Sequence, residues 1–188
     1  MSGEQVVLVD EAGNPVGVEE KLAAHQGGGK LHLAFSVFVF NGGGELLLQR
    51  RAADKYHFGG LWSNTCCGHP CPGENVVAAG ERRLREELGF TTKLEPLLTF
   101  AYEAADAKSG LTEREVLNVL VGRCDAKPAP DPTEVEGWRW CGLEELRRRL
   151  EEAPDEYTPW LRLVLERWPP DPPRAPRVPP DAHGSGAP

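Results

Sequence analysis

Gly68-His69-Pro70-Cys71-Pro72-Gly73-Glu74-Asn75-Val76-Val77-Ala78-Ala79-Gly80-Glu81-Arg82-Arg83-Leu84-Arg85-Glu86-Glu87-Leu88-Gly89-Phe90 contains one helix with a clear stop. Val77, Glu81, Leu84 and Leu88 recur at helical spacing across Asn75 to Leu88. Gly89 then supplies the left-handed residue on which helices end. Working outward, Val6 to Val9 is a short apolar run that stops at the turn Asp10-Glu11-Ala12-Gly13-Asn14-Pro15. Leu33 to Phe40 is β-branched and aromatic. With Asn41-Gly42-Gly43-Gly44 and Glu45 to Arg50 behind it, it reads as a β-hairpin. Val116 to Val121 and Trp138 to Cys141 read as further strands. Leu143 to Glu152 and Pro159 to Arg167 read as two closing helices, the second with proline at its first position. Helices among mostly hairpin-linked strands imply an α+β or sandwich-like α/β/α domain.

Composition bounds the answer further. The chain has 188 residues, 40% apolar and 27% charged, enough for one domain with a real core. A net charge of -8 is the wrong sign for a generic binder of nucleic acid or anionic membrane. No run approaches the roughly 20 apolar residues of a membrane span. Met1-Ser2-Gly3-Glu4-Gln5 lacks the basic and apolar regions of a signal peptide. Five cysteines, three of them between Cys66 and Cys71, make a poor disulfide framework and suit thiol or metal chemistry in a reducing cytosol. A soluble, cytoplasmic, monomeric enzyme is expected, with neither nucleic acid nor membrane as partner. Composition shifts at Trp168, and eight of the 17 prolines lie beyond it. Residues 1–168 are therefore expected to form the domain, and 169–188 a disordered Pro-rich C-terminal tail.

The opening stretch also carries a spacing. Gly68, five residues, Glu74, seven residues, then Arg82 to Phe90 resembles the Nudix box, Gly-x5-Glu-x7-Arg-Glu-apolar-x-Glu-Glu-x-Gly-apolar. In that family the box is a loop–helix–loop whose glutamates hold Mg²⁺ against a diphosphate, and hard carboxylate oxygens suit that ion. One position departs: Arg83 stands where the pattern has glutamate. A guanidinium there removes a metal ligand and adds a bidentate phosphate partner, so such a box should bind a diphosphate better than it cleaves one. Arg83 and Glu87, four apart, would also suit an exposed ion pair worth roughly a few tenths of a kcal/mol.

Around the box lie residues a diphosphatase does not need. Cys67 stands two residues before His69, Lys21-x3-His25 and His32 flank Gln26-Gly27-Gly28-Gly29, and Glu113-Arg114-Glu115 opens a strand. Strand geometry puts both carboxylates on one face, which Leu117 and Val119 continue into the core. Three imidazoles and two carboxylates would make a five-ligand site for a first-row divalent metal. Singly each residue is a weak signal, since a lone histidine is usually a surface or core residue.

Together with Leu31-His32-Leu33-Ala34-Phe35, Gln49-Arg50-Arg51-Ala52, Trp62-Ser63-Asn64 and Pro159-Trp160, these motifs resemble the type I isopentenyl-diphosphate isomerases, a Nudix-fold family. The resemblance runs from about Gln5 to about Arg167. It implies a Nudix-like α/β/α sandwich with a mixed sheet. The implied activity moves a carbon–carbon double bond between isopentenyl diphosphate and dimethylallyl diphosphate, in isoprenoid precursor biosynthesis. By the same resemblance His25, His32, His69, Glu113 and Glu115 hold one Mn²⁺ or Zn²⁺, and Glu87 holds Mg²⁺ with the diphosphate. Cys67 and Glu115 form the acid–base pair, and Tyr102 hydrogen-bonds the acidic glutamate. Trp160 faces the cationic carbon, where its π quadrupole attracts positive charge. Lys21, Arg51, Lys55 and Arg83 supply cations to the phosphates. Cys67 beside a metal should ionise more easily than a buried structural thiol.

Two rivals remain on the residues alone. An ordinary Nudix hydrolase explains the box but leaves Cys67, His25, His32 and His69 idle. A structural zinc site from Cys66, Cys67, His69 and Cys71 fits zinc-knuckle spacing poorly.

Overall fold

The computed structural model describes residues 4–170, so the tail expected over 169–188 lies outside the described residues from 171 onward. In chain order the strands are β1 (Gln5–Val9), β2 (Pro15–Glu20), β3 (His32–Phe40), β4 (Leu46–Arg51), β5 (Trp62–Ser63), β6 (Cys66–Gly68), β7 (Leu94–Ala105), β8 (Thr112–Arg123) and β9 (Val135–Cys141). The helices are α1 (Lys21–His25), α2 (Val76–Leu88), α3 (Leu143–Glu152) and α4 (Pro159–Glu166).

The alternation within β3 sets the frame. Ala34 and Phe38 belong to one apolar cluster, while Phe35, Val37 and Val39 belong to another on the opposite face. A strand buried on both faces must lie inside its sheet. β8 runs parallel to β3 from His32 opposite Glu115 to Phe40 opposite Arg123. Antiparallel β7 covers the outer edge of β8. The other edge of β3 is divided among β1 at Leu8–His32, β6 from Phe35–Gly68 to Val37–Cys66, and β4 at Phe40–Leu46. β4 then pairs with β9 and β5. One parallel pair among antiparallel ones makes the sheet mixed.

Helices close both faces. Ala79, Leu84 and Leu88 of α2 meet Phe35, Val37, Leu47 and Leu120 on one side. Leu146 and Leu150 of α3, with Leu161 and Val164 of α4, meet Ala34, Phe38, Leu48 and Leu117 on the other. A fully buried leucine contributes about 1.5–3 kcal/mol, so this packing, more than propensity, holds the thirteen residues of α2. Gly80 permits the close approach: a Cβ there would stand 2.8 Å from a Leu120 methyl and 2.9 Å from one of Leu94. Asn75 caps α2 through the amides of Val77 and Ala78, and Gly89 ends it in the left-handed region, φ 72°.

The short elements β2, α1, β5 and β6 were not expected from the sequence, and two further departures are instructive. The hairpin from Leu33 to Arg50 pairs only at Phe40–Leu46, because β6 takes the next part of the β3 edge and β9 takes β4. The twelve-residue β7 was not foreseen. Its Pro96 argues against a strand, but β7 pairs only with β8 and its register slips between Pro96 and Leu98, where an edge strand tolerates proline.

Candidate active site

Three neighbouring strands put the acidic residues in place. Register sets Glu115 of β8 between His32 of β3 and Tyr102 of β7, all in one row across the sheet. Two residues earlier Glu113 faces the same side. His25 ends the short helix α1, where the Lys21-x3-His25 spacing is one helical turn. That turn brings His25 Nδ1 within 2.6 Å of the Lys21 carbonyl, while His32 Nδ1 lies 2.7 Å from the Lys30 carbonyl. A carbonyl only accepts, so each Nδ1 carries the proton and each Nε2 is turned inward. His69 follows directly after β6.

The result is a closed cluster. Ligand atoms of His25, His32, His69, Glu113 and Glu115 all lie within 4.8 Å of one another, and all five residues are buried. Glu113 Oε2 is 2.8 Å from His25 Nε2, and Glu115 Oε1 is 3.1 Å from His69 Nε2. His32 Nε2 and His69 Nε2 face each other at 3.1 Å. Two buried carboxylates ringed by imidazole nitrogens form the donor set that a first-row divalent cation takes. The five residues fit a metal.

The electrostatics agree in direction. Burial disfavours charge on Glu113 and Glu115, yet contacts with His25 and His57, and with His32 and Tyr102, outweigh it and hold both carboxyls below the ordinary range. Burial also disfavours charge on His25, but Glu113 outweighs it and raises that imidazole. For His69 burial, with the nearby His32 and Lys21, outweighs the pull of Glu113 and pushes the imidazole well down. Tyr102 donates its hydroxyl to Glu115 Oε2 at 2.8 Å, and burial holds the phenol well above its usual value.

On β6, Cys67 pairs in register with Ser36 and Cys66 with Val37, so the two neighbours point to different faces. Cys66 joins the apolar cluster under α2, whereas Cys67 enters the cavity. The Cys67 Sγ lies 3.2 Å from Asn64 Oδ1 and 3.5 Å from Ser36 Oγ. The protein's own groups raise both neighbouring thiols, that of Cys66 well above its usual value and that of Cys67 less. Burial raises the Cys67 thiol, and the Ser36 contact and the Arg51 charge only partly offset it. The Trp160 indole donates to Ser63 Oγ at 3.0 Å and Asn64 Oδ1 at 3.1 Å, and its ring packs edge-on to Phe58.

Ten of the thirteen residues singled out from sequence line one cavity. His25 and His32 lie wholly buried beside it. Glu87 is also buried, is not part of the cluster, and is engaged by Gln49 at 3.1 Å and Arg83 at 2.6 Å. The Arg83–Glu87 ion pair is thus formed, and Arg83 also meets Glu86 at 2.8 Å and Glu134 at 3.3 Å. Lys55 contacts Glu134 as well, and Lys21 pairs with Glu4 at 2.9 Å. Arg51 donates instead to the His57 and Phe58 carbonyls, both at 3.2 Å.

Sequence reasoning passed over Asn64 as an acceptor for both Cys67 and Trp160, Glu134 as the shared partner of two cations, and His57. The ring of His57, 6% exposed, meets Glu113 Oε1 through Nε2. It sits in the loop between β4 and β5, where no periodicity marks an inward residue.

The profile of the NUDIX domain family matches residues 30–161. An isopentenyl-diphosphate Delta-isomerase of Halorhodospira halophila is 55% identical over 167 residues, covering 88% of this chain and 95% of that protein. One of Nocardia farcinica is 52% identical over 161 residues, covering 86% and 92%. Among solved structures, a Deinococcus radiodurans protein superposes with a TM-score of 0.72 at 23% identity, covering 87% of this chain and 98% of that one. The MutT protein of Methanosarcina mazei superposes at 0.60 with 21% identity, covering 73% and 91%, a likeness of fold.

Proposed function

The chain belongs to the NUDIX domain family and, within it, to the isopentenyl-diphosphate Delta-isomerases, and on that premise we propose how its residues share the reaction. The activity is the interconversion of isopentenyl diphosphate and dimethylallyl diphosphate, a proton added to the alkene on one face and another removed from the opposite face. Cys67 and Glu115 are the pair that exchange those protons. The observation that carries this reading is that a thiol and a buried carboxylate with its own tyrosine line one cavity. Tyr102 donates to Glu115 Oε2 while Oε1 turns to His69, so the carboxylate is held from both sides. Trp160, fixed by two hydrogen bonds from its indole nitrogen, offers its ring to the cationic carbon. The buried walls exclude water that would trap a tertiary cation.

Lys21, Arg51, Lys55 and Arg83 bind the diphosphate, for which carboxylates on three of them must give way. His25, His32, His69, Glu113 and Glu115 would hold one Mn²⁺ or Zn²⁺, and Glu87 would hold Mg²⁺ together with the diphosphate. A divalent ion in the histidine site supplies positive charge that acidifies a ligated carboxyl group. The enzyme acts as a cytoplasmic monomer, without nucleic acid or membrane as partner. No helix among the described residues is long and apolar enough to cross a membrane.

Incubation with isopentenyl diphosphate tests the reading. Allylic diphosphate is the expected product. Release of free phosphate would point to an ordinary diphosphatase, and no product at all would leave only a binding protein.

A further inference from the structure

The Nε2 atoms of the cluster converge with carboxylate oxygens on one point, yet the Glu113 carboxylate has two equivalent oxygens. His57 distinguishes them. Its Nε2 meets Glu113 Oε1, while Oε2 faces His25 Nε2 at 2.8 Å. The other ring nitrogen of His57, Nδ1, is buried without a partner among the described residues, so the proton of the neutral ring belongs on Nε2. We propose that His57 is a positioning residue for the metal site: its Nε2–H holds Glu113 Oε1 and aims Oε2 into the cluster.

The surrounding loop is built to keep that ring still. The Tyr56 ring lies over it, centroids 4.4 Å apart and planes 33° apart. Arg51 grips the carbonyls on both sides of the peptide that follows, those of His57 and Phe58. Asp106 Oδ2 accepts the Phe58 amide at 3.1 Å. Phe58 itself is held at φ 49°, a left-handed conformation that costs a non-glycine residue on the order of 1–3 kcal/mol and persists only where neighbours enforce it. A loop fixed this firmly behind one imidazole suits an outer partner that orients a ligating carboxylate. Loss of such a partner typically weakens metal affinity about 10–100-fold.

This inference rests on the reading that the five-residue cluster holds a divalent ion, and the test separates the two. The full chain is stripped by chelation and titrated with Zn²⁺ and with Mn²⁺ against a chromogenic chelator. His57→Leu, which cannot donate, should bind about 10–100-fold more weakly. His57→Gln, whose amide reaches as far as Nε2, should recover most of that loss, and His57→Asn, too short to reach Glu113, should not. Melting of the stripped variants identifies any that fails to fold, and the Gln and Asn pair then decides alone. Wild-type affinity in His57→Leu, or equal affinity in the Gln and Asn variants, overturns the inference. If His25→Ala also keeps wild-type affinity, the metal reading itself falls; if His25→Ala loses the ion while His57→Leu does not, only the role of His57 falls.

Discussion

The two ends of the cavity are built on opposite principles. At one end two carboxylates and their imidazoles are sealed, with exposures from 0% to 8%, and strand register alone aligns Tyr102, Glu115 and His32. At the other, Lys21, Lys55 and Arg83 sit near the rim and each is paired with a carboxylate that reaches solvent, Glu4, Glu134 or Glu86, although Arg83 also reaches the buried Glu87. Breaking a buried pair by removing one partner costs about 3–5 kcal/mol, whereas an exposed pair is worth up to about 1 kcal/mol. The sealed end is therefore a fixed instrument. The rim is a set of cations holding temporary anions, which a diphosphate can displace at little cost.

The sharpest break in this contrast is chemical. Cys67→Ala should lower the isomerase rate by about 10²–10⁴-fold, the range for losing one proton-transfer group. Cys66→Ala, on the opposite face, should keep most activity. A steady-state assay of both variants decides, and the reverse ranking would mean that β6 presents the wrong residue to the substrate.

Stability and binding should then part company between the ends. Glu113→Ala leaves His25 and His57 without their buried partner, so urea unfolding of the metal-stripped protein should show a loss of about 3–5 kcal/mol. Arg83→Ala should raise KM roughly 10–100-fold, since a charged hydrogen bond to phosphate is lost, and should cost less stability than Glu113→Ala, because buried Glu87 keeps its Gln49 partner. Arg83→Glu should raise KM further. An unchanged KM in both Arg83 variants would return that residue to the ion pairs with Glu86 and Glu87.

The smallest effect concerns pH. His25, raised above its ordinary 6.5, contributes stability that is complete below 6.5 and is lost as pH rises through its higher folded value. His69, pushed below 6.5, works the other way: the unfolded chain takes up its proton first, so stability falls as pH drops below 6.5. The melting temperature of the stripped protein should therefore be highest near pH 6.5 and fall on both sides. His69→Gln should make the acid limb shallower, leaving the share of His57, which burial also lowers, and should leave the alkaline limb unchanged. An acid limb as steep as that of the unsubstituted protein removes His69 as a cause.

The same contrast explains what could be read without coordinates. Glu113, Glu115, Leu117 and Val119 follow a period of two, and Asn75 to Leu88 follows a helical period, so their faces are written into the spacing. His32, His69 and Cys67 stand in motifs of fixed spacing, which the resemblance could carry over residue by residue. His57 and Glu134 obey no period. Each acts through a contact made across the chain, with Glu113 and with Lys55 and Arg83, and such pairings exist only once the sheet has brought distant loops together. β7 was hidden differently: Pro96 contradicted a strand that only an edge position could accept.

The shortness of β6 has an engineering consequence. In a strand three residues long, inside and outside are a matter of parity, and nothing within the strand can absorb an error. A single residue inserted between Asn64 and Cys66 would turn every side chain of β6 over, sending Cys66 toward the cavity and Cys67 under α2. Two inserted residues would restore the sense while displacing the chain. The loop ahead of β6 should thus accept length changes in even steps far better than in odd ones, a rule that a designer of variants could use before mutating a single active-site residue.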